Sequence, residues 1–162
     1  MVVILHNIRS TYNVGSILRS CACFGIEETI FSGYTPRYND PVLLPHLRNK
    51  LNHQIEKTAL GAEKLVKITF SNNILETLQE LKKTHLLLGL ENNISDPRLI
   101  DIKNFQNPKN RPLALLLGEE TKGIPPELYP YIDQFLEIPL RGQKESLNVS
   151  VATAIALYEL TK

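Results

Sequence analysis

Apolar positions along this chain follow two alternating rhythms. Val2–Leu5 is a short apolar, β-branched run, and behind it Val14, Ile17, Leu18, Cys21 and Ala22 recur at helical spacing until Gly25. Thr29–Phe31 reads as a second strand, closed by Ser32-Gly33. Tyr34–Lys57 carries three prolines and a mild basic excess, which predicts a loop with one or two short helices. Ala59–Val66 leads into a strand over Val66–Phe70, and Ile74, Leu75, Leu78 and Leu81 mark a helix begun by Ser71. His85–Leu90 and Leu113–Leu117 are continuous apolar runs, as strands buried on both faces of a parallel sheet are. Between them Asn92–Arg111, rich in Asn, Asp and Pro, predicts a connection with little regular structure. A short helix over Pro125–Ile132, a strand over Phe135–Leu140 and a last helix over Ser146–Thr161 complete the pattern.

Strand and helix alternate without a composition break. A single α/β domain over residues 1–162 is expected, its mostly parallel sheet flanked by helices. The last helix is unusual in carrying no charge from Ser146 to Tyr158, so its whole circumference reads as buried. A domain this small hides one face of a terminal helix and leaves the other for a partner, most simply a second copy.

Composition narrows the function classes. Apolar residues make up 43% of the chain, enough for a real core, and 18 basic against 17 acidic residues exclude a polycationic or acidic tail. The longest apolar run is five residues, against about 20 needed to span a bilayer. No charged-then-apolar leader opens the chain. Cys21 and Cys23, two residues apart, make no disulfide framework, and a reduced, cytoplasmic compartment is expected. They lie about 200° apart on the predicted helix, so buried, inert thiols are expected rather than a metal pair.

The common catalytic signatures are absent. The eight glycines form neither a dinucleotide loop nor a phosphate-cradling loop. His6, His46, His53 and His85 are scattered without metal-ligand spacing, no nucleophile elbow occurs, and no metal is expected.

Three segments carry the remaining chemistry. In the first, Asn7-Ile8-Arg9 is followed by Asn13-Val14-Gly15-Ser16 and Arg19. Asn13 is placed to cap a helix, and Arg9 and Arg19 fall near the carboxyl end of the first strand, the ligand edge of an open α/β sheet. The second runs Leu117-Gly118-Glu119-Glu120-Thr121-Lys122-Gly123-Ile124, a tight turn bracketed by glycines that let backbone approach a flat ligand. The third is Ile138-Pro139-Leu140 followed by Glu145-Ser146-Leu147-Asn148-Val149-Ser150, with Ser146 as the expected helix cap. Asn148 would then sit inside an apolar helix, where a buried amide needs deliberate partners. Each segment alone has an ordinary structural explanation as a cap, a packing glycine or a polar loop.

In this order and spacing, from Asn7 to Tyr158, the three segments together resemble the three motifs of the SpoU (TrmH-like) ribose methyltransferases of the knotted SPOUT superfamily. The resemblance implies an α/β fold with a deep trefoil knot, here within about residues 113–162, and a homodimer with the knot at its interface. It implies S-adenosylmethionine as cofactor and methylation of a ribose 2′-hydroxyl in RNA. Asn13, Arg19, Glu120, Ser146 and Asn148 fall on the family's catalytic or RNA-handling positions. Leu90, Gly118, Ile138 and Leu147 fall where its loops hold the methyl donor. Glu119 departs from the family, many relatives having Asn, Pro or Ser there, and no appended RNA-binding segment is evident.

A ribose hydroxyl attacks only if its proton is removed or its oxyanion stabilised. A guanidinium holds its proton at neutral pH, so Arg19 is read as a fixed charge rather than the general base. Arg9, Arg37, Arg48, Lys50 and Lys57 are the expected phosphate contacts. The small size and the stretch Lys57–Glu63, similar to a segment of tRNA-directed members, lean toward tRNA over ribosomal RNA. Two competing readings are a knotted RNA-binding or ribosome-assembly protein without methyl transfer, and a base-directed RNA methyltransferase.

Overall fold

Seven strands form one sheet in the order β3-β2-β1-β6-β4-β7-β5, every pairing parallel. They are β1 (Val2–His6), β2 (Glu28–Ser32), β3 (Lys67–Ser71), β4 (Leu86–Leu90), β5 (Leu99–Asp101), β6 (Leu113–Leu117) and β7 (Gln134–Glu137). Four α-helices cover it: α1 (Thr11–Cys23), α2 (Pro45–Ala59), α3 (Ile74–Lys82) and α4 (Val149–Leu160). The computed structural model describes residues 1–162, the side chain of Lys109 excepted.

Strand side chains alternate between two cores. Val3, Leu5, Leu115 and Leu117 pack with Val14, Ile17 and Leu18 of α1, Ile55 of α2, and Ala156 and Leu157 of α4. Val2, Ile4, Ala114 and Leu116 pack on the other face with Leu78 of α3, Leu128 and Phe135. The period of two is the pleat itself, and burial on both faces is why β1, β4 and β6 read as unbroken apolar runs. Gly15 lets α1 and α2 touch, since a Cβ there would lie 2.2 Å from the Ile55 carbonyl oxygen and the Thr58 hydroxyl.

Several expectations from the sequence need correction. In place of one or two short helices within 34–57 there is a single 15-residue helix, α2, which starts at Pro45 and runs past Lys57 to Ala59. Only Ile55 and Ala59 of α2 are buried, so its apolar periodicity is faint. The connection after β4 contains a short edge strand, β5, whose three residues pair with β7. Ser10, not Asn13, caps α1; Asn73, not Ser71, caps α3; and α4 starts three residues later than expected, capped by Asn148 rather than Ser146. Cys21 is buried, and burial pushes its thiol up to about 12, but Cys23 is exposed. In this chain α4 hides one face and leaves the other open, as expected of a terminal helix on a domain this small. Thr153, Ala156 and Leu157 are buried, whereas Val151, Ile155 and Tyr158 form an open stripe at i, i+4 and i+7. Among the described residues no helix is long and apolar enough to cross a membrane, and no cluster of His, Cys, Asp or Glu could hold a metal ion.

The strand order reverses at the centre, where the chain runs outward from β1 to β3 and then reappears beyond β6. Ligands of open parallel sheets bind at the carboxyl ends of the strands beside such a reversal.

Candidate functional site

β1, β6, β4 and β7 deliver their carboxyl ends to one place. After β1, Asn7 adopts the left-handed conformation (φ +60°). The buried His6 ring supports this turn: Nδ1 lies 2.9 Å from Ser32 Oγ, and Nε2 lies 3.2 Å from Asn7 Nδ2. Asn7 Oδ1 accepts the Tyr34 N–H, so its amide nitrogen donates to Nε2 and the ring proton sits on Nδ1. Burial, opposed by Glu127, lowers the pKa of His6 and favours this neutral form. Nothing in the sequence pattern singled His6 out.

After β6 the chain folds back in a tight hairpin. Glu119 N–H donates to the Gly123 carbonyl at 3.1 Å, and Gly123 N–H donates to that of Glu119 at 2.9 Å. The turn demands both glycines. A Cβ on Gly118 would stand 2.3 Å from the Gly123 carbonyl carbon and the Ile124 nitrogen. Gly123 has φ +70°, and a Cβ there would meet Glu91 Oε1 at 2.1 Å. Glu91, at the end of β4, accepts the Ile124 N–H and so pins the hairpin to the neighbouring loop.

Glu120 reaches from this hairpin to the start of α1. Its carboxylate accepts the Asn13 side-chain N–H at 2.8 Å, the Arg9 N–H at 3.1 Å and the Ser10 N–H at 3.2 Å. Burial alone would raise this carboxyl, but the three donors outweigh it and hold Glu120 below the usual range. Asn13 Oδ1 in turn accepts the Asn148 side-chain N–H at 3.1 Å, and Asn148 Oδ1 accepts the Ser150 N–H at 2.9 Å. A continuous chain of hydrogen bonds therefore joins β6, α1 and α4, residues more than 100 apart in sequence. Asn148 is exposed at a helix start and not buried within the helix, and its amide still finds partners in Asn13 and Ser150.

Beside this chain lies a cavity of about 350 Å³. Leu90, Gly118, Ile138 and Leu147 all line it, and so do Glu120 and Ser146. Asn92 closes one wall by exchanging two hydrogen bonds with the Ile138 backbone, and Asn93 holds the following loop through the Glu145 carbonyl. Glu119 sits at the rim, where the Thr121 hydroxyl donates to it at 2.9 Å and Arg9 approaches to 3.7 Å. The Thr121 hydrogen bond first, then Tyr34, Lys122 and Arg9, hold its carboxyl below the ordinary value. Sequence reasoning missed Glu91, whose only signal was its place one residue after the buried β4 run.

Arg19 lies elsewhere. It is exposed in a second groove with Ser16, Lys57, Ser150, Val151 and Ile155, between α1, α2 and α4. The five predicted phosphate contacts do not form one patch. Arg9 stands at the cavity rim, Lys57 shares the groove of Arg19, and Arg48 and Lys50 lie on α2. Arg37 is spent on the far sheet edge, where it covers the Phe70 ring at 5.2 Å and donates to Asn72 Oδ1 at 3.0 Å.

Residues 1–158 match the sequence model of the SpoU rRNA Methylase family. A 23S rRNA (guanosine-2′-O-)-methyltransferase of Acinetobacter baylyi is 30% identical over 159 residues, covering 98% of this chain and 58% of that protein. The AdoMet-bound rRNA methyltransferase of Sinorhizobium meliloti superposes with a TM-score of 0.78 at 24% identity, over 98% of this chain and 54% of the other. The SpoU methyltransferase AviRb of Streptomyces viridochromogenes, in complex with AdoMet, gives 0.80 at 21% identity, over 99% and 56%. The two structures share the fold, and this chain spans less than two thirds of each relative's length.

Proposed function

The chain belongs to the SpoU rRNA Methylase family, and from that premise we propose that it transfers a methyl group from S-adenosylmethionine to a ribose 2′-hydroxyl of RNA. One observation carries the reading: a single cavity gathers Leu90, Gly118, Ile138 and Leu147, with the Glu120–Asn13–Asn148 chain along its edge. The name of the Acinetobacter relative turns the substrate from tRNA, toward which the sequence leaned, to ribosomal RNA. A ribosomal substrate also suits the expected cytoplasmic location.

The cavity fits the cofactor. About 350 Å³ is within the range of small-molecule sites. Leu90, Leu117, Ile138, Leu147 and Val149 offer apolar walls for a flat base, and Gly118, without a side chain, lets its backbone line the cavity directly. When bound, the cofactor supplies a methyl group activated on a positively charged sulfur. Glu120 and Asn13 fix the start of α1 and the rim of the cavity. Ser146 and Asn148 place the loop before α4, where the ribose would enter. Arg19 provides a fixed positive charge for a phosphate and for the developing alkoxide, while the displaced proton leaves to solvent or to an RNA phosphate.

Because Arg19 lies outside the cavity of a single chain, its role belongs with the homodimer. The open stripe Val151, Ile155, Tyr158 beside the Arg19 groove supports that assembly. The knot within about 113–162 is part of the same reading, supported by β4 lying between β6 and β7, which makes the chain cross over it.

Purified protein incubated with labelled donor and separate ribosomal and transfer RNA pools tests the reading. Label is expected in ribosomal RNA and, after nuclease digestion, in a 2′-O-methylnucleoside by mass spectrometry. Heat on titrating RNA but none on titrating donor would instead make it an RNA-binding protein, and label on a base would make it base-directed. Arg19→Ala should slow transfer about 100-fold at unchanged donor affinity. Arg19→Lys, which keeps the charge but loses the fork, should also be badly impaired. Transfer by Arg19→Ala within twofold of wild type would remove Arg19 from the mechanism.

A further inference from the structure

The lining of the cavity is strongly one-signed. Glu91, Glu119, Glu120 and Glu145 face it against one lysine, Lys122. Two of these acids are used by the chain itself: Glu120 by three N–H donors and Glu119 by Thr121 and Arg9. Glu91 is different. It is half-buried, and its recognised donors are the neutral backbone N–H groups of Ile124 and Asn92. Among the described residues no lysine, arginine or histidine lies within ion-pair distance of it. Burial accordingly pushes its carboxyl above the ordinary value.

A carboxylate drawn from water costs free energy unless a cation or several donors compensate it. Glu91 keeps two neutral donors and no cation from the protein. The missing positive charge then comes with the ligand. S-adenosylmethionine carries a sulfonium and an ammonium against one carboxylate, a net positive charge. Once the methyl has left, the remaining thioether compound is neutral overall. The two differ little in shape, so a pocket separates them mainly through charge.

We propose that this cavity distinguishes the methyl donor from the spent product by charge, with Glu91 as the discriminating residue and the acidic rim as its reinforcement. The proposal rests on the functional reading above and goes beyond it. It gives the site a way to release product: the attraction that draws the donor in disappears in the reaction itself. Glu91 also braces the Gly118–Gly123 hairpin, so its loss must be read through selectivity and not through affinity alone.

Calorimetric titration of the full chain with S-adenosylmethionine, S-adenosylhomocysteine and sinefungin, which bears an amine in place of the sulfonium, tests it. Wild type should bind the two cationic ligands about tenfold tighter than S-adenosylhomocysteine. Glu91→Gln should keep S-adenosylhomocysteine affinity and bring all three within about twofold of each other. Should Glu91→Gln fail to fold, Glu145→Gln at the exposed rim should narrow the same ratio about twofold. Equal loss for all three ligands in Glu91→Gln would leave Glu91 a brace only and overturn the proposal. An unchanged ratio in Glu145→Gln, or no preference in wild type, would overturn it as well. Failure of wild type to bind any of the three would overturn the functional reading, and this proposal with it.

Discussion

Replacing Glu120 by alanine should cut methyl transfer about 1,000-fold, the largest effect of any single side chain in the site. The reason is its connectivity. One carboxylate satisfies the Arg9 and Ser10 N–H groups and the Asn13 amide, and Asn13 in turn holds Asn148 at the start of α4. Removing it frees three donors at once and loosens the link between β6, α1 and α4. Because the carboxylate is partly exposed and screened, the stability cost should be modest, about 1–2 kcal/mol. A variant that melts nearly as wild type yet transfers almost no methyl would separate the two roles. Activity within tenfold of wild type would show that the chain of amides is dispensable.

The same carboxylate makes an acid-side prediction. Its folded pKa lies below the ordinary value, since the N–H donors outweigh the opposing effect of burial. The sign follows: the stabilisation is fully present above the ordinary carboxyl range and is lost as pH falls through the depressed value. Glu120→Gln should therefore show a shallower loss of stability on acidification than wild type. Glu91, with its pKa raised by burial, acts in the opposite sense, so the comparison must be made between these two proteins and not against an ideal curve. Equal acid slopes in urea unfolding would contradict the assignment.

Gly118→Ala should abolish donor binding more completely than any change in the cavity walls. The new methyl group would lie 2.3 Å from two backbone atoms of the returning strand of the hairpin. Backbone does not move aside as a flexible side chain does, so strain of about 3 kcal/mol is expected, or roughly 150-fold in affinity. Since Glu91 pins Ile124 from the other side, the hairpin has little room to relax. Calorimetry with S-adenosylmethionine should show weak or absent heat, while the circular dichroism spectrum stays that of the α/β fold. Donor affinity within threefold of wild type would mean that the turn can open without consequence.

The legible parts of this molecule and the illegible ones separate along physical lines. Val2–Leu5 and Leu113–Leu117 are legible as strands because both of their faces are buried, which leaves a run of apolar residues with no alternative. Helix α2 shows in the sequence only as one or two short helices, because only Ile55 and Ala59 along it face the core. β5 was invisible because an edge strand of three half-buried residues has no pattern to show. Caps shifted by up to three residues, since Ser10, Asn13, Ser146 and Asn148 are all chemically able to cap and only the helix start decides which does.

The candidate site divides in the same way. The residue types and order of the three motifs lay in the sequence, and the family resemblance they carry implied the four positions Leu90, Gly118, Ile138 and Leu147 that line the cavity. The joining of Glu120 to Asn13 and of Asn13 to Asn148 was not there to read, because each pair spans more than 100 residues and forms only when β6 lies beside β1. Glu91 and His6 became interesting only through what surrounds them. Arg19 was legible as a motif residue, yet its place in a separate groove was set by how far along α1 it lies. Sequence alone thus determined the alternating α/β frame and the chemical vocabulary, since local burial patterns and short motifs record themselves in neighbouring residues. Tertiary structure alone decided which polar groups meet and which acid faces the cavity, because hydrogen bonds and desolvation depend on distances that the parallel crossovers create.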